Sequence, residues 1–189
     1  MILTVAVIAG LIAVLVRSKL TRQPLRAVEL KKAWLVLLAF LPQLVAFGFP
    51  SRWIQVSNDL IPVLLVVSQM ILIRFAWLNG SIPGGWLLGT GLLLNFSVIV
   101  LNRGWMPISP DAVRQLIPRA SADSWQIGER LGRTKDMVLR VEDTRLWFLS
   151  DRIILPEFFN YPVAFSIGDI FIAAGAFWLI WNMVGVEKS

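Results

Sequence analysis

Two aspartates near the C-terminal end of the chain, Asp151 and Asp169, are the residues whose type and spacing could support chemistry. They lie eighteen residues apart, and the intervening segment 153–162 is long enough to loop back and bring the carboxylates together. Paired carboxylates in a partly dry site share a proton, so that one activates water while the other protonates a peptide carbonyl. The pair therefore predicts an aspartyl-type hydrolase as one interpretation of the chain.

Each aspartate also has a purely structural interpretation. Ser166 and Asp169 have the spacing of a capping box, and an acid in the first turn suits the positive end of the helix dipole. Asp151 precedes Arg152, and these two side chains can form an ordinary ion pair. The sequence leaves the catalytic and the structural interpretations open.

Two asparagines are the other polar candidates at the same level. Asn95 and Asn102 are seven residues apart in an apolar run, so they share one face of a helix. Asp169 lies on a small-residue face of the last apolar run, and we expect it to point inward and to contact one of these asparagines. Together with Arg152 and Ser166, the asparagines form the predicted binding or structural polar cluster.

The composition indicates that membrane helices position these side chains. Hydrophobic residues make up 57% of the 189 residues and charged residues only 16%, which is typical of integral membrane proteins. The chain has no cysteine and no histidine, which removes disulfides, thiol nucleophiles, soft metal sites and imidazole bases. We expect no metal and no cofactor, and any catalysis must use Asp, Glu, Ser, Lys or Tyr.

Five apolar runs approach the ~20 residues that cross the hydrocarbon core of a bilayer. They predict an all-α fold, a polytopic membrane helical bundle of five transmembrane helices in a single domain over residues 1–189. The predicted spans are 2–16, 34–49, 60–78, 86–101 and 166–186. The first run has no basic region before it and no polar cleavage region after it, so we expect it to be retained.

The basic residues of the short loops predict the orientation of the bundle. The loop between the first two runs contains a single acid, Glu29, and six basic residues: Arg17, Lys19, Arg22, Arg26, Lys31 and Lys32. Such loops stay in the cytoplasm. We therefore expect a multi-pass protein of the inner (plasma) membrane, with the N-terminus outside and the C-terminus cytoplasmic. The net charge of +6 favours contact with the lipid bilayer and not with nucleic acid.

The segment 103–162 is the extracytoplasmic part in this topology. Ser109 as N-cap and Pro110 in the first turn predict one short helix. Apolar residues among alternating charges predict a second helix, from Lys135 to about Arg152. The second helix lies on the membrane surface in one interpretation, and the two helices form a small cap in the other.

Three glycines leave one side of the fourth apolar run without side chains, and we call this side the thin face. Gly85, Gly89 and Gly91 allow a neighbouring helix to approach closely. The neighbour is either another helix of this chain or a membrane-protein partner.

The C-terminal part of the chain resembles lipoprotein signal peptidase, an intramembrane aspartyl protease of four spans. The aspartates of that family lie in Asn-x-x-Asp-Arg and Phe-Asn-x-Ala-Asp segments, which are similar to Phe-Leu-Ser-Asp-Arg at 148–152 and Phe-Ser-Ile-Gly-Asp at 165–169. The resemblance implies that Asp151 and Asp169 form a catalytic dyad. It covers about the last forty residues, and it departs from the family at Ser166, where the peptidase has Asn, and at the missing Gly-Asn pair ahead of the first acid.

More of the chain resembles an uncharacterised bacterial polytopic membrane family. That family has an Asn-Gly-Gly-x-Met-Pro-Val-Ser segment, similar to 102–109, a Leu-x-Asp-x-Ile-Pro-Leu-Pro segment, similar to 149–156, and a Phe-Ser-Ile-Gly-Asp helix. Arg103 replaces the first glycine of its Gly-Gly pair. The resemblance implies a topology and candidate residues but no activity.

Three classes of function are consistent with the sequence. The principal prediction is a structural or accessory membrane protein, such as a subunit of a membrane complex. The alternatives are an aspartyl-type intramembrane hydrolase and a transporter or lipid-handling module. Contact between the Asp151 and Asp169 carboxylates would favour the hydrolase.

Overall fold

The computed structural model describes residues 2–48, 56–118, 124–155 and 163–184. These residues form six α-helices: α1 (Ile2–Thr21), α2 (Trp34–Gln43), α3 (Leu60–Leu78), α4 (Gly85–Leu101), α5 (Pro110–Leu116) and α6 (Ile167–Trp181). A π-helical turn, Leu44–Gly48, continues α2 directly after Pro42, which has no backbone N–H to donate to the preceding turn. The predicted helical fold is confirmed, with a helix at each of the five apolar runs.

Two of the helices are long and apolar enough to cross a membrane. These are α1 and α3, and most of their residues are not buried inside the protein. The described parts of the other three apolar runs are shorter helices, Trp34–Gly48, Gly85–Leu101 and Ile167–Trp181. The crossing of the membrane by all five helices therefore stays a prediction.

The five apolar helices pack side by side in the order α2, α3, α4, α6 and α1. The last helix along the chain thus lies between α4 and α1. Small residues bring α4 and α6 together, since a Cβ atom at Gly175 would lie 2.6 Å from the backbone N of Leu88 and one at Gly91 would lie 2.7 Å from the backbone N of Ile172. The close approach predicted for Gly91 is therefore made within the chain.

The other two glycines of the thin face have different surroundings. Gly85 packs against the turn at Asn79, whereas a Cβ atom at Gly89 would meet only Ala76, at 3.5 Å. Gly85 and Gly89 line an apolar groove of about 350 Å³ between the end of α3 and the start of α4, beside Trp77 and Trp86. A partner helix in this groove stays a prediction.

The basic loop lies at one end of the bundle. The Asn79 side chain, at the C-terminal end of α3, accepts a hydrogen bond from the Lys31 N–H (2.8 Å) and donates one to the Lys31 carbonyl (2.9 Å). The Arg26 N–H donates to the Met183 carbonyl just after α6 (2.7 Å). These bonds hold the loop at the end of the bundle opposite to the start of α6.

A small folded layer covers the other end, and we call its described residues, 102–118, 124–155 and 163–165, the cap. Strand β1 (Met106–Ile108) pairs in parallel with β2 (Asp136–Val138), and β3 (Ile153–Ile154) pairs antiparallel with β4 (Ala164–Phe165). Helix α5 packs on these strands through a core in which Ile108, Val113 and Val138 are fully buried. The cap therefore has its own apolar core.

The structure of the cap confirms one prediction and contradicts two others. The first short helix begins as predicted, with the Ser109 hydroxyl accepting a hydrogen bond from the Ala112 N–H at 3.2 Å. The helix predicted from Lys135 to about Arg152 is wrong, because Asp136–Val138 pairs with β1 and only one 3₁₀ turn, Trp147–Leu149, follows. The pairing with a distant strand overrides the helical spacing of the apolar residues. The all-α prediction is accordingly too simple, because short strands build the cap.

Candidate functional site

Asp169 starts α6 as part of a polar network. The Ser166 hydroxyl accepts from the Asp169 N–H (3.0 Å), and the Ser166 N–H donates to Asp169 Oδ2 (3.1 Å), which completes a capping box. Asn95 on α4 donates from Nδ2 to Asp169 Oδ1 (2.8 Å) and accepts from the Ser166 hydroxyl (2.8 Å). The capping box and the Asn–Asp contact are both present, and they engage both carboxylate oxygens of Asp169.

Glycines on both helices allow this network to form. A Cβ atom at Gly168 would lie 2.8 Å from the Gly91 carbonyl oxygen and would also collide with the Asn95 side chain. Because Gly91 and Gly168 have no side chains, α4 and α6 approach closely enough for Asn95 to contact the capping box. The network therefore fastens the cap end of α4 to the start of α6.

Asp151 is buried against a different partner from the one predicted. Its side chain retains 2% exposure, and its Oδ2 atom lies 2.5 Å from Nζ of Lys135. The predicted ion pair between Asp151 and Arg152 is wrong, since the Arg152 guanidinium lies over the Trp147 ring, 4.5 Å from its centroid. This cation–π contact leaves Lys135 as the counter-ion of Asp151.

Strand pairing brings Lys135 to Asp151. Lys135 directly precedes β2, and the Asp151 N–H donates to the Pro107 carbonyl of β1 (3.1 Å). Lys135 also lies 3.5 Å from Oδ1 of Asp136. From the sequence, Lys135 is predicted only as one of the charged residues of a helix, with no specific partner. The turn residues 132–134 ahead of the apolar pair Met137 and Val138 are the local signal that a strand begins here.

The electrostatics of this cluster favour an extra proton. The pKa of the Asp151 carboxyl is raised to about 8, because burial disfavours its charge and the negative charges of Asp136 and Asp169 lie nearby, while Lys135 opposes the rise only in part. Burial lowers the pKa of Lys135, but the three carboxylates raise it by more, so the ammonium stays charged. Asp151 therefore titrates near neutral pH beside a permanent positive charge.

The two aspartates make no hydrogen bond to each other. Asp169 uses its oxygens for Asn95 and Ser166, and Asp151 Oδ1 is a buried atom with no hydrogen-bond partner among the described residues. The charge of Asp169 still contributes to the raised pKa of Asp151. The catalytic roles of both residues stay a prediction.

Asn102 belongs to a separate contact. Its Nδ2 donates to the carbonyls of Val98 (2.7 Å) and Arg145 (2.9 Å), and its Oδ1 accepts from the Arg145 N–H (3.0 Å). The two asparagines predicted to share one helix face thus have separate partners: Asn95 in α4 bonds to α6, and Asn102, just after α4, bonds to the cap segment at Arg145. Among the described residues, no group of three His, Cys, Asp or Glu side chains could hold a metal ion.

The raised pKa of Asp151 predicts a pH dependence of stability. From the ordinary value of 3.8 up to about 8, the folded state holds a proton that the unfolded state has released, so stability falls as pH rises through this window. We expect thermal unfolding of the purified protein to show this decline, by up to about 1.4 kcal/mol per pH unit. The chain has no histidine, so few other groups titrate between pH 5 and 8.

The Asp151→Asn variant is the control for this measurement. It removes the titrating group, so the unfolding free energy of the variant should be nearly independent of pH between about 5 and 8. An equal slope in the wild type and the variant would contradict the assignment.

Comparison with known proteins places the chain by its sequence alone. No curated protein and no solved structure matches it. A sequence family does match, and it covers residues 27–181, which include α2 to α6 and the cap with both aspartates. The chain therefore belongs to a family of unknown function, DUF5317.

Proposed function

We propose that this chain is a multi-pass integral membrane protein with a structural or accessory role. In the proposed arrangement its five apolar helices cross the bilayer and carry the cap on the extracytoplasmic side. The main support for a structural role is that buried polar side chains form hydrogen bonds between separate elements of the fold. Asn79 holds the basic loop, Asn95 holds α6, and Asn102 holds the cap.

The outer faces of the helices support the membrane location. Most of the exposed large apolar side chains of the described residues lie on the five apolar helices, and Trp77 on α3 is 81% exposed. In water, such a surface would be an aggregation hazard, whereas lipid covers it without cost. The basic loop at the end opposite the cap supports a cytoplasmic position for that end.

The natural absence of cysteine makes the proposed topology directly testable. We would introduce Gln126→Cys in the cap or Thr21→Cys at the end of α1, both exposed positions. In intact cells, a membrane-impermeant maleimide should label the first variant, and it should label the second only after permeabilisation. The reverse pattern would refute the orientation, and extraction of the wild-type chain by alkaline carbonate would refute membrane integration.

An aspartyl-type hydrolase is the second candidate function. The observation in its favour is the raised pKa of the buried Asp151, whose Oδ1 has no hydrogen-bond partner, with the charge of Asp169 nearby. The Asp169 oxygens, however, accept hydrogen bonds from Asn95 and Ser166, and the described residues show no hydrogen bond between the two acids. The structural role therefore has the stronger support.

A substitution at Asp169 tests the structural role. The structural role predicts that Asp169→Ala lowers the free energy of unfolding by about 1 to 2 kcal/mol, because the capping box and the bond to Asn95 are lost together. Thermal unfolding in detergent measures this change. Asn95→Ala, which leaves the carboxylate in place, should lose a comparable amount. Wild-type stability in Asp169→Ala would contradict the structural role and would leave the hydrolase as the better candidate.

A further inference from the structure

A groove where α3 and α4 meet the cap has one polar end and one apolar end. The polar end has a volume of about 740 Å³ and is lined by Arg103, Arg145, Asp143, Trp105 and Met137, among others. The apolar end has a volume of about 280 Å³ and is lined by Pro62, Val63, Val66, Val67 and Val100. Arg103 lines both ends, so the polar and the apolar cavity adjoin at this residue.

Two arginines give the polar end a positive charge. Arg103 and Arg145 face a single acid, Asp143, and neither arginine forms an ion pair within the part of the chain that the structure describes. The Asn102 side chain bonds to both the N–H and the carbonyl of Arg145, so the backbone of Arg145 is held beside the end of α4, next to Arg103. Both arginines are exposed at this end of the groove, and a guanidinium binds a phosphate group through paired N–H···O bonds.

The backbone at Arg103 adds an independent observation. Arg103 has a φ of 60°, and Gly104 after it has a φ of 85°. The Gly104 N–H donates to the Ile99 carbonyl at 2.8 Å, which is the helix-ending bond that normally accompanies glycine at the preceding position. A long side chain is therefore held in a conformation that glycine adopts without strain. Strain of this kind is often retained where the side chain has a function.

We propose that this groove binds an anionic phospholipid, with the phosphate between Arg103 and Arg145 and an acyl chain along α3 and α4. Charge complementarity selects an anionic headgroup, and the valine-lined extension selects a ligand with an apolar chain. The groove lies at the cap end of α4, where the headgroups meet the helices if the chain spans the membrane. The inference rests in this respect on the proposed function.

Titration with a fluorescent phosphatidylglycerol tests the proposal on the full chain purified in a neutral detergent. We expect saturable binding that Arg103→Gly and Arg145→Gln each weaken by about tenfold or more. Arg103→Gly also relieves the positive φ, so its thermal stability should be equal to or above that of the wild type, which separates loss of the site from loss of the fold. Arg140→Gln is the matched control, since Arg140 is exposed in the cap but does not line the groove.

Competition experiments identify the source of the anion. Unlabelled phosphatidylglycerol should displace the probe, while phosphatidylcholine and glycerol phosphate should not. Displacement by phosphatidylcholine, displacement by glycerol phosphate at the same concentration, or equal weakening by Arg140→Gln would each overturn the proposal. Failure of the proposed function would appear separately, as extraction of the wild-type chain by carbonate.

Discussion

Replacing Lys135 with methionine is expected to lower the free energy of unfolding by about 3 kcal/mol when it is measured above the pKa of Asp151. The substitution leaves Asp151, which is 1% exposed, and Asp136, which is 8% exposed, without their common counter-ion. The Lys135 side chain is itself 36% exposed, but the carboxylates that it leaves behind are buried. A buried charge that has neither water nor a partner is costly. Thermal or denaturant unfolding in detergent measures the change.

The double variant Lys135→Met with Asp151→Leu makes the reason for this loss testable. A buried ion pair replaced as a whole by apolar side chains often leaves stability unchanged, so the double variant should regain the part of the loss that is due to Asp151, while Asp136 still lacks its counter-ion. Arg140→Met, at an exposed position in the same cap, should change stability by no more than about 0.5 kcal/mol. A double variant as unstable as the single one would show that the pair does not interact as described.

Alanine at Gly175 is expected to lower the free energy of unfolding by about 2 kcal/mol. The new Cβ atom would lie 2.6 Å from the Leu88 N and 2.7 Å from the Gly84 carbonyl oxygen. Both are backbone atoms, so α4 and α6 must separate to admit one methyl group. Their separation also lengthens the bond between Asn95 and Asp169. Thermal unfolding in detergent measures the loss.

Gly89→Ala is the matched substitution on the opposite side of α4. Its Cβ atom meets only Ala76, at 3.5 Å, which is ordinary contact. Alanine also has the higher helix propensity, so this variant should gain up to about 1 kcal/mol. The same chemical change is therefore expected to lower stability at Gly175, where α6 packs on α4, and to raise it at Gly89, on the side of α4 that faces Ala76. Equal losses at both positions would contradict the close approach of α4 and α6.

The features that the sequence predicts well are local ones. The starts of α5 and α6 depend on Ser109 and Ser166, whose hydroxyls bond three residues further along the chain. The apolar runs predict the helices because each run determines its own backbone hydrogen bonds. A contact of Asp169 with Asn95 or Asn102 followed from small-residue faces, which limit how two helices can meet, and the structure has it at Asn95.

The features that the sequence does not predict depend on distant pairings. Nothing near Lys135 indicates that Met106–Ile108 will pair with the strand after it, yet this pairing turns a predicted helix into β2. The same pairing brings Lys135 to Asp151, whereas adjacency in the sequence had favoured Arg152. Asn102 likewise finds its partner at Arg145, forty-three residues away. The chemistry of the candidate site is therefore set by the cap fold.

The position of α6 between α4 and α1 has a consequence for the assembly of the protein. Synthesis produces α1 and α4 first, with a vacant slot between them until the last of the five apolar helices arrives. During this interval the side chain of Asn95 lacks its carboxylate acceptor, and the glycines of α4 have no backbone to pack against. The arrival of α6 satisfies both requirements at once. Packing of α6 into the slot therefore couples the polar contact of Asn95 to the close glycine contacts of α4.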